Sequence, residues 1–543
     1  MRLALIVSVV IQTLLMAQGA YGLMNYPSLS SNRVTAIRSQ RDVAANVSID
    51  QITTAGIRLS KTLFDREGYT NDTLKNVWTL LNGGIQNLVI DIYWNENTGE
   101  FQLCPIDMSG RLSTRAESTG VIYYDADDDD YKCDNVLTLQ GLIDVVFRFT
   151  SETDTNLSAN LILLMFNTHG LLKKSSSNSQ NNDNITYSNN NTLSQILQST
   201  FSYKLYTPSA LTADRFVNRT YNSEEQSNDG FPTVSHFLFT DKRRVVSTIW
   251  QDNLPSNTTY NLTSDYNIVF PQSDLNSSFT SLNNTVVPST EEEFINTANG
   301  NWRFAYDDDN TKFNNGSIRH LIDWGYSPIL NSAVLESSDI ASIFNTSLWS
   351  WDSAEPLEEN IAKEINKDSD NTRNSQTAYK CAALSSTGWK VENCYDSKYV
   401  ACRKQSRAFE WELSLDKQTY FNAEDVCPDN TNFSVPRTAL QQYSLVNYLK
   451  TLPENHSIWI DMNSISINDC WVTGGPNSNC PYQKVTNERN FAEMLTPASV
   501  FCLVIFLGMI LLRLKRVPVQ DNRKHWKKLL QQNKENEYEG VPS

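Results

Sequence analysis

Near the C-terminus, Met494 to Leu512 forms an uncharged, almost wholly apolar run of 19 residues. At ~1.5 Å per helical residue, such a run crosses a ~30 Å hydrocarbon core. It constrains the chain more than any other feature, because it divides the sequence between two compartments. Arg513, Lys515 and Arg516 follow at once, then Arg523, Lys524, Lys527 and Lys528. Positive residues on one flank hold that flank in the cytosol. The other end of the sequence agrees. Met1-Arg2 leads into an apolar stretch from Leu3 to Ala17, and the small residues Ala20 and Gly22 complete a signal-peptide pattern. The expectation is a type I single-pass protein. Residues 1–22 are its signal peptide, 494–512 its transmembrane helix and 513–543 its basic cytoplasmic tail.

The intervening sequence suits a lumenal or extracellular compartment. N-x-S/T acceptors stand at Asn46, Asn71, Asn156, Asn184, Asn190, Asn218, Asn257, Asn261, Asn276, Asn283, Asn315, Asn345, Asn432 and Asn455. That makes fourteen before the apolar run and none after it. Each glycan needs a surface position. Eight cysteines (Cys104, Cys133, Cys381, Cys394, Cys402, Cys427, Cys470 and Cys480) precede the run, and Cys502 lies inside it. An even set suits disulfides in an oxidising compartment, and without a close C-x-x-C pair a zinc site is not expected. The tail has eight basic and four acidic residues. With that +4 and Arg2 set aside, the formal −16 of the chain leaves −21 on residues 23 to 512. So acidic a domain repels nucleic acid and anionic headgroups. It is also too long for a single core, so two or three domains are expected.

Residues 23 to 32 read as an extended lead-in. Short apolar runs at Asn87–Tyr93, Asn160–Phe166, Arg244–Ile249 and Ser327–Ile329 then predict strands. Continuous rather than alternating apolar character implies strands buried on both faces, as in a parallel sheet covered by helices. Leu139, Leu142, Val145, Val146 and Phe149 give 137–149 one helical face. This β-helix-β repetition predicts an α/β barrel of the TIM type over residues 23–340. Its Asn-rich stretch at 173–191 reads as a flexible insertion. Composition shifts at about residue 341. Six cysteines fall within 100 residues, joined by Trp349, Trp351, Trp389, Trp411, Trp459 and Trp471. Residues 341–485 are therefore expected to be a separate disulfide-rich, β-rich module.

Three resemblances follow. Ile49-Asp50-Gln51, Gly56-Ile57-Arg58 and Val89-Ile90-Asp91-Ile92-Tyr93-Trp94 resemble the opening of a phosphatidylinositol-specific phospholipase C barrel. Trp349-Ser-Trp351, Glu355-Pro356, Cys381, Gly388-Trp389, Cys394 and Tyr399–Arg403 resemble the C-terminal half of a C-type lectin-like domain. Tyr420–Cys427 and Trp459-Ile-Asp461 resemble its N-terminal half, so the order is reversed, as in a permuted or duplicated module. That likeness implies the pairs Cys381–Cys394 and Cys402–Cys427. Cys470 and Cys480 then enclose a short Gly-Pro loop, and Cys104 and Cys133 are left for the barrel. Finally, stretches running from end to end resemble the fungal maintenance of telomere capping protein 6 family. They include Arg38–Val43, Trp349–Ser353, Trp459–Asp461, Cys470–Pro476, Cys480–Tyr482, Pro497–Val500, Arg516–Pro518, Asp521–Lys524 and Glu539–Ser543. This likeness implies a type I membrane glycoprotein connected with telomere capping and without an assigned enzymatic activity.

A phospholipase C of this type works with two histidines, one as general base and one as general acid. Residues 36–43, where the first belongs, contain none; the ectodomain has only His169, His236, His320 and His456. His169 follows a predicted strand, but one histidine does not make the pair, and a structural role is expected for it. The acidic run Asp125, Asp127–Asp130 lacks the Gly and terminal Glu of an EF-hand loop and reads as solvated. Lys390 follows Trp389 where calcium-binding lectins place an acceptor, which argues against a cation there. Gly474-Gly475 lacks a following lysine or helix start and is no phosphate loop. Asp91 and Asp461 are expected to be buried hydrogen-bond acceptors. The expectation is therefore no catalytic, cofactor or metal residue: a degenerate barrel whose ectodomain binds a protein or glycan partner. The alternative is a hydrolase or phosphodiesterase on the same scaffold. The 31-residue tail holds no DNA-binding motif, so any telomere connection is expected to be indirect.

Overall fold

The computed structural model describes residues 29–536, apart from 108–120, 127–128, 135, 173–191, 218–229, 276, 300–301, 334–339, 341–344, 366–375, 454–456, 483–487 and 517–522. The expected signal peptide, the Asn-rich insertion and Asp127–Asp128 thus lie outside the described residues. The chain up to Tyr482 forms one compact unit and residues 483–543 a second.

The lead-in gives way early to α1 (Ser31–Val43), whose first turn is capped by the Ser30 side chain. Strands β1 (Gly56–Arg58) and β2 (Asn87–Asn95) are joined through α2 (Leu74–Asn82). Strand β3 (Glu100–Gln102) folds back antiparallel on β2. A hairpin of β4 (Val121–Ala126) and β5 (Asp129–Asp134) is tied in by the Cys104–Cys133 disulfide. The chain continues through α3 (Leu139–Glu152), β6 (Ile162–Gly170), α4 (Leu193–Phe201), β7 (Leu205–Tyr206), α5 (Pro208–Phe216) and β8 (Val245–Asn253). It closes with β9 (Ser278–Ser281), α6 (Glu291–Asn299), β10 (Arg303–Tyr306), α7 (Asn315–Asp323) and β11 (Ser327–Leu330).

The strand order is β7-β8-β6-β2-β1-β11-β10-β9, parallel throughout. Because β11 returns to pair with β1, the sheet curls into a partial barrel of the TIM type. The apolar runs explain its two buried faces. Leu88, Ile90 and Ile92 of β2 enter the core beneath α2, α3 and α4. Val89 enters a second core with Leu163, Met165, Val246, Phe304 and Ile329. Strands β6 and β8 run four residues past their apolar runs, to Gly170 and Asn253. Apart from the buried Trp250, these extensions are polar because the C-terminal ends of the strands line the barrel mouth, and hydrophobic patterning therefore stops short of the true strand end.

After α8 (Glu359–Ile365), six short strands build a second sheet. They are β12 (Tyr379–Leu384), β13 (Trp389–Asn393), β14 (Tyr399–Lys404), β15 (Trp411–Leu413), β16 (Thr431–Phe433) and, after α9 (Ala439–Lys450), β17 (Ile458–Asn463). The order is β13-β12-β17-β14-β15, with β16 also on β14. Disulfides join Cys381 to Cys394, Cys402 to Cys427 and Cys470 to Cys480. This module has its own sheet but shares a core with the barrel. Trp349, Trp351 and Trp389 belong to the same apolar cluster as Leu80, Ile90 and Leu164.

The second unit has α10 (Glu488–Arg516) and α11 (Arg523–Asn536). Within α10, Leu495–Leu514 is a 20-residue stretch long and apolar enough to cross a membrane.

Candidate functional site at the strand ends

On the inner face of the barrel, β2 alternates inward at Val89 and Asp91, and β6 at Met165, Asn167 and His169. The parallel register sets Asp91 beside Asn167 and Tyr93 beside His169. Arg58 ends β1 level with Val89, and Asn331 follows β11. Parallel strands thus deliver their first polar inward residues to one place, just above the apolar inner core.

Asp91 is the hub. Its Oδ1 accepts from Arg58 Nη2 at 2.7 Å, Asn167 Nδ2 at 3.0 Å and His169 Nε2 at 3.0 Å. Its Oδ2 accepts from Arg58 Nε at 2.8 Å and from the Ser60 hydroxyl. Arg58 also donates through Nη1 to Asn331 Oδ1 at 3.0 Å. Burial by itself pushes the Asp91 carboxyl up. The hydrogen bonds from His169, Arg58 and Ser60, with the Arg58 charge, outweigh it and hold the group far below the usual carboxylate range. The same carboxylate raises Arg58 against its own burial. With Asp91 ionised and able only to accept, His169 Nε2 is the donor in this pair. The Tyr93 ring stacks on His169 at 5.1 Å, and burial beside Asp91 raises its hydroxyl. Asn167 Oδ1 is buried with no hydrogen-bond partner among the described residues.

A carboxylate that accepts five hydrogen bonds orients its donors and offsets the Arg58 charge. Asp307 plays a purely structural part nearby. Its two oxygens accept from the amides of Phe313, Asn331 and Ser332 and from the Ser332 hydroxyl, which fixes the segment after β11.

From the sequence, Asp91 and His169 are expected to be separate buried or structural residues. The structure joins them in one network with Arg58 and Ser60. Part of the signal is present in the sequence, where Arg58 and Asp91 each interrupt an apolar run, whereas Asn167 and His169 lie beyond the end of theirs. His236 faces Asp241, His320 stacks on Trp324, and His456 lies outside the described residues. Asp461, half-buried, accepts from the amides of Gly474 and Gly475, so that glycine pair serves a carboxylate. Glu355 accepts from the amides of Leu357 and Val391, while Lys390 pairs with Asp352 at 3.2 Å. Among the described residues, no three His, Cys, Asp or Glu side chains are grouped to hold a metal. Nine acceptor asparagines are described (Asn46, Asn71, Asn156, Asn257, Asn261, Asn283, Asn315, Asn345 and Asn432), and all are exposed. Asn184, Asn190, Asn218, Asn276 and Asn455 lie outside the described residues.

Residues 27–350 match a family model described as the MTC6 partial TIM-barrel domain. The chain is 32% identical to the maintenance of telomere capping protein 6 of Debaryomyces hansenii, covering 96% of both chains. It is 31% identical to the protein of that name from Komagataella phaffii, over 95% of this chain and 97% of the relative. With that of Lachancea thermotolerans the identity is 33%, over 95% of this chain and 96% of the relative.

Proposed function

The chain belongs to the maintenance of telomere capping protein 6 family, and on that premise we propose that it acts as a non-enzymatic, type I membrane glycoprotein. Its ectodomain binds a protein or glycan partner in the secretory pathway or at the cell surface. Its contribution to telomere capping, the role for which its relatives are named, runs through that partner rather than through DNA. The −21 charge on residues 23 to 512 supports the indirect route. The basic flank after α10 and the exposure of the nine described acceptor asparagines support the orientation and the glycans. The second module is read as a permuted C-type lectin-like domain. Its mixed sheet, the Cys381–Cys394 and Cys402–Cys427 bridges and the buried Trp389 favour that reading.

The observation that carries the non-enzymatic reading is the saturation of Asp91. The barrel mouth is occupied by its own side chains, with the carboxylate pinned between Arg58, Ser60, Asn167 and His169. One feature favours the alternative of a hydrolase: His169 is a half-buried imidazole oriented by a carboxylate, and Asn167 Oδ1 beside it lacks a donor. His169→Gln separates the two readings, since it removes proton transfer while keeping a donor toward Asp91. In a yeast whose own family member is deleted, the variant is expected to restore telomere capping as well as the wild-type chain does. Loss of capping by a variant with wild-type abundance and thermal stability would overturn the non-enzymatic reading in favour of the hydrolase.

A further inference from the structure

The last turn of α7, one side of α9 from Gln442 to Lys450, and the segments 345–348, 351–353 and 386–388 line a cleft of about 630 Å³. Its lining includes Arg319, His320, Asp323, Trp324, Lys450 and the acceptor asparagine Asn345. We propose that this cleft seats the first sugars of the N-glycan carried by Asn345 itself. The inference rests on the glycoprotein reading and goes beyond it by assigning one glycan a structural berth.

Three observations carry it. First, Asn345 is exposed and lines the cleft, while its carbonyl is held by Arg33 Nη2 at 2.9 Å. A glycan attached there starts from a fixed backbone position and reaches the cleft without crossing open solvent. Second, the cleft has the two surfaces that a sugar ring uses. The His320 and Trp324 rings both line the cleft and stack at 5.5 Å and 23°, and the outer ring face of such a pair suits the apolar C–H face of a pyranose. Beside it stands Asp323, whose Oδ1 is taken by Arg319 Nε at 3.0 Å. Its Oδ2 accepts no hydrogen bond among the described residues and is available to sugar hydroxyls. Third, Arg319 is fixed by the carbonyls of Leu348 and Trp349, at 3.1 and 3.2 Å, so the polar wall is built rather than loose. The volume falls in the roughly 300–1,000 Å³ range of small-molecule sites and suits two sugar rings.

The test uses the full chain made in a yeast secretory pathway and purified in detergent. Native protein is treated with a peptide N-glycosidase in isotopically labelled water, and each acceptor asparagine is followed by mass spectrometry. Asn345 is expected to be occupied and to lose its glycan about tenfold more slowly than Asn71. After denaturation the two are expected to react alike. Trp324→Ala, or His320→Ala at an exposed position where folding is not at risk, is expected to bring Asn345 to the Asn71 rate. An unoccupied Asn345 beside an occupied Asn71, equal native rates, or slow release that both variants leave unchanged each overturns the inference alone. A chain without any glycan overturns the glycoprotein reading as well.

Discussion

Arg58 and Asp91 show how much one buried pair demands of its surroundings. The Asp91 side chain is only 1% exposed and Arg58 20%, so both charges are largely removed from water. Such a pair is tolerated because the carboxylate oxygens and the guanidinium are met by further hydrogen bonds; removing one partner leaves the other charge buried and alone. Asp91→Asn keeps the shape and removes the charge. It is expected to lower the stability of the compact unit by about 3–5 kcal/mol in denaturant unfolding at pH 7. The pH dependence follows from the depressed carboxyl. Its contribution is full above the unfolded carboxylate value of ~3.9 and fades as pH falls toward the folded value. The gap between wild type and Asp91→Asn should therefore narrow by about 1 kcal/mol between pH 7 and pH 3. A constant gap would mean that Asp91 is not held ionised by this network. The pairing was partly legible, since Arg58 and Asp91 carry the phospholipase-like pattern. The share of Asn167 and His169 was not, because only the parallel register of β2 and β6 brings residues 76 and 78 positions further on beside Asp91.

Among the elements, those with a strong local pattern are the ones the sequence places. The face of Leu139, Leu142, Val146 and Phe149 packs into the core as its spacing requires, and α3 runs from Leu139 to Glu152. Helix α1 was missed: Arg33, Ser39 and Arg41 are polar yet buried, so its pattern does not look amphipathic. The turn before β13 depends on a contact rather than a pattern. Gly388 has φ +149°, and a Cβ there would lie 2.8 Å from the Asp352 amide and 3.0 Å from the Trp351 carbonyl carbon. Gly388→Ala is expected to cost about 1–3 kcal/mol through strain and displaced backbone. Retention of the wild-type thermal midpoint would show that the Trp351 segment yields freely. Outside the compact unit, α11 sets Trp526, Leu529 and Leu530 at i, i+3 and i+4, all exposed, among Arg523, Lys524, Lys527 and Lys528. A tail peptide is expected to bind anionic vesicles as an interfacial helix. Replacing Trp526, Leu529 and Leu530 by Ser, with every charge kept, should weaken that binding. Equal binding would leave electrostatics alone as the cause.

At the scale of the whole molecule, α1 ties the barrel to the second module. Gln40 Oε1 accepts from the amides of Trp349 and Ser350 and from the Ser350 hydroxyl, and Trp351 Nε1 donates to Ser39 Oγ at 2.8 Å. Arg41 reaches the carbonyls of Asn156 and Ala159 on one side and the Tyr482 hydroxyl on the other. Arg38 donates to the carbonyl of Asp469 at 2.7 Å. The Arg38–Val43, Trp349–Ser353 and Cys480–Tyr482 stretches, scattered in sequence, thus converge on one seam. Composition marks the two modules but not this seam, because contacts between residues 309 to 441 positions apart leave no local trace. The seam also bears on topology: α1 and Tyr482 are locked in one unit, so the chain on both sides of the barrel occupies one compartment. If that compartment is lumenal, as proposed from the basic flank after Leu512, two results must occur together. In sealed microsomes, added protease should remove a C-terminal tag and leave the ectodomain intact. Glycosidase treatment of the denatured ectodomain should then increase its mobility through the loss of many glycans. A tag protected until detergent is added, on a chain whose mobility glycosidase leaves unchanged, would place the acidic ectodomain in the cytosol. That outcome would remove the charge and compartment argument against direct contact with nucleic acid.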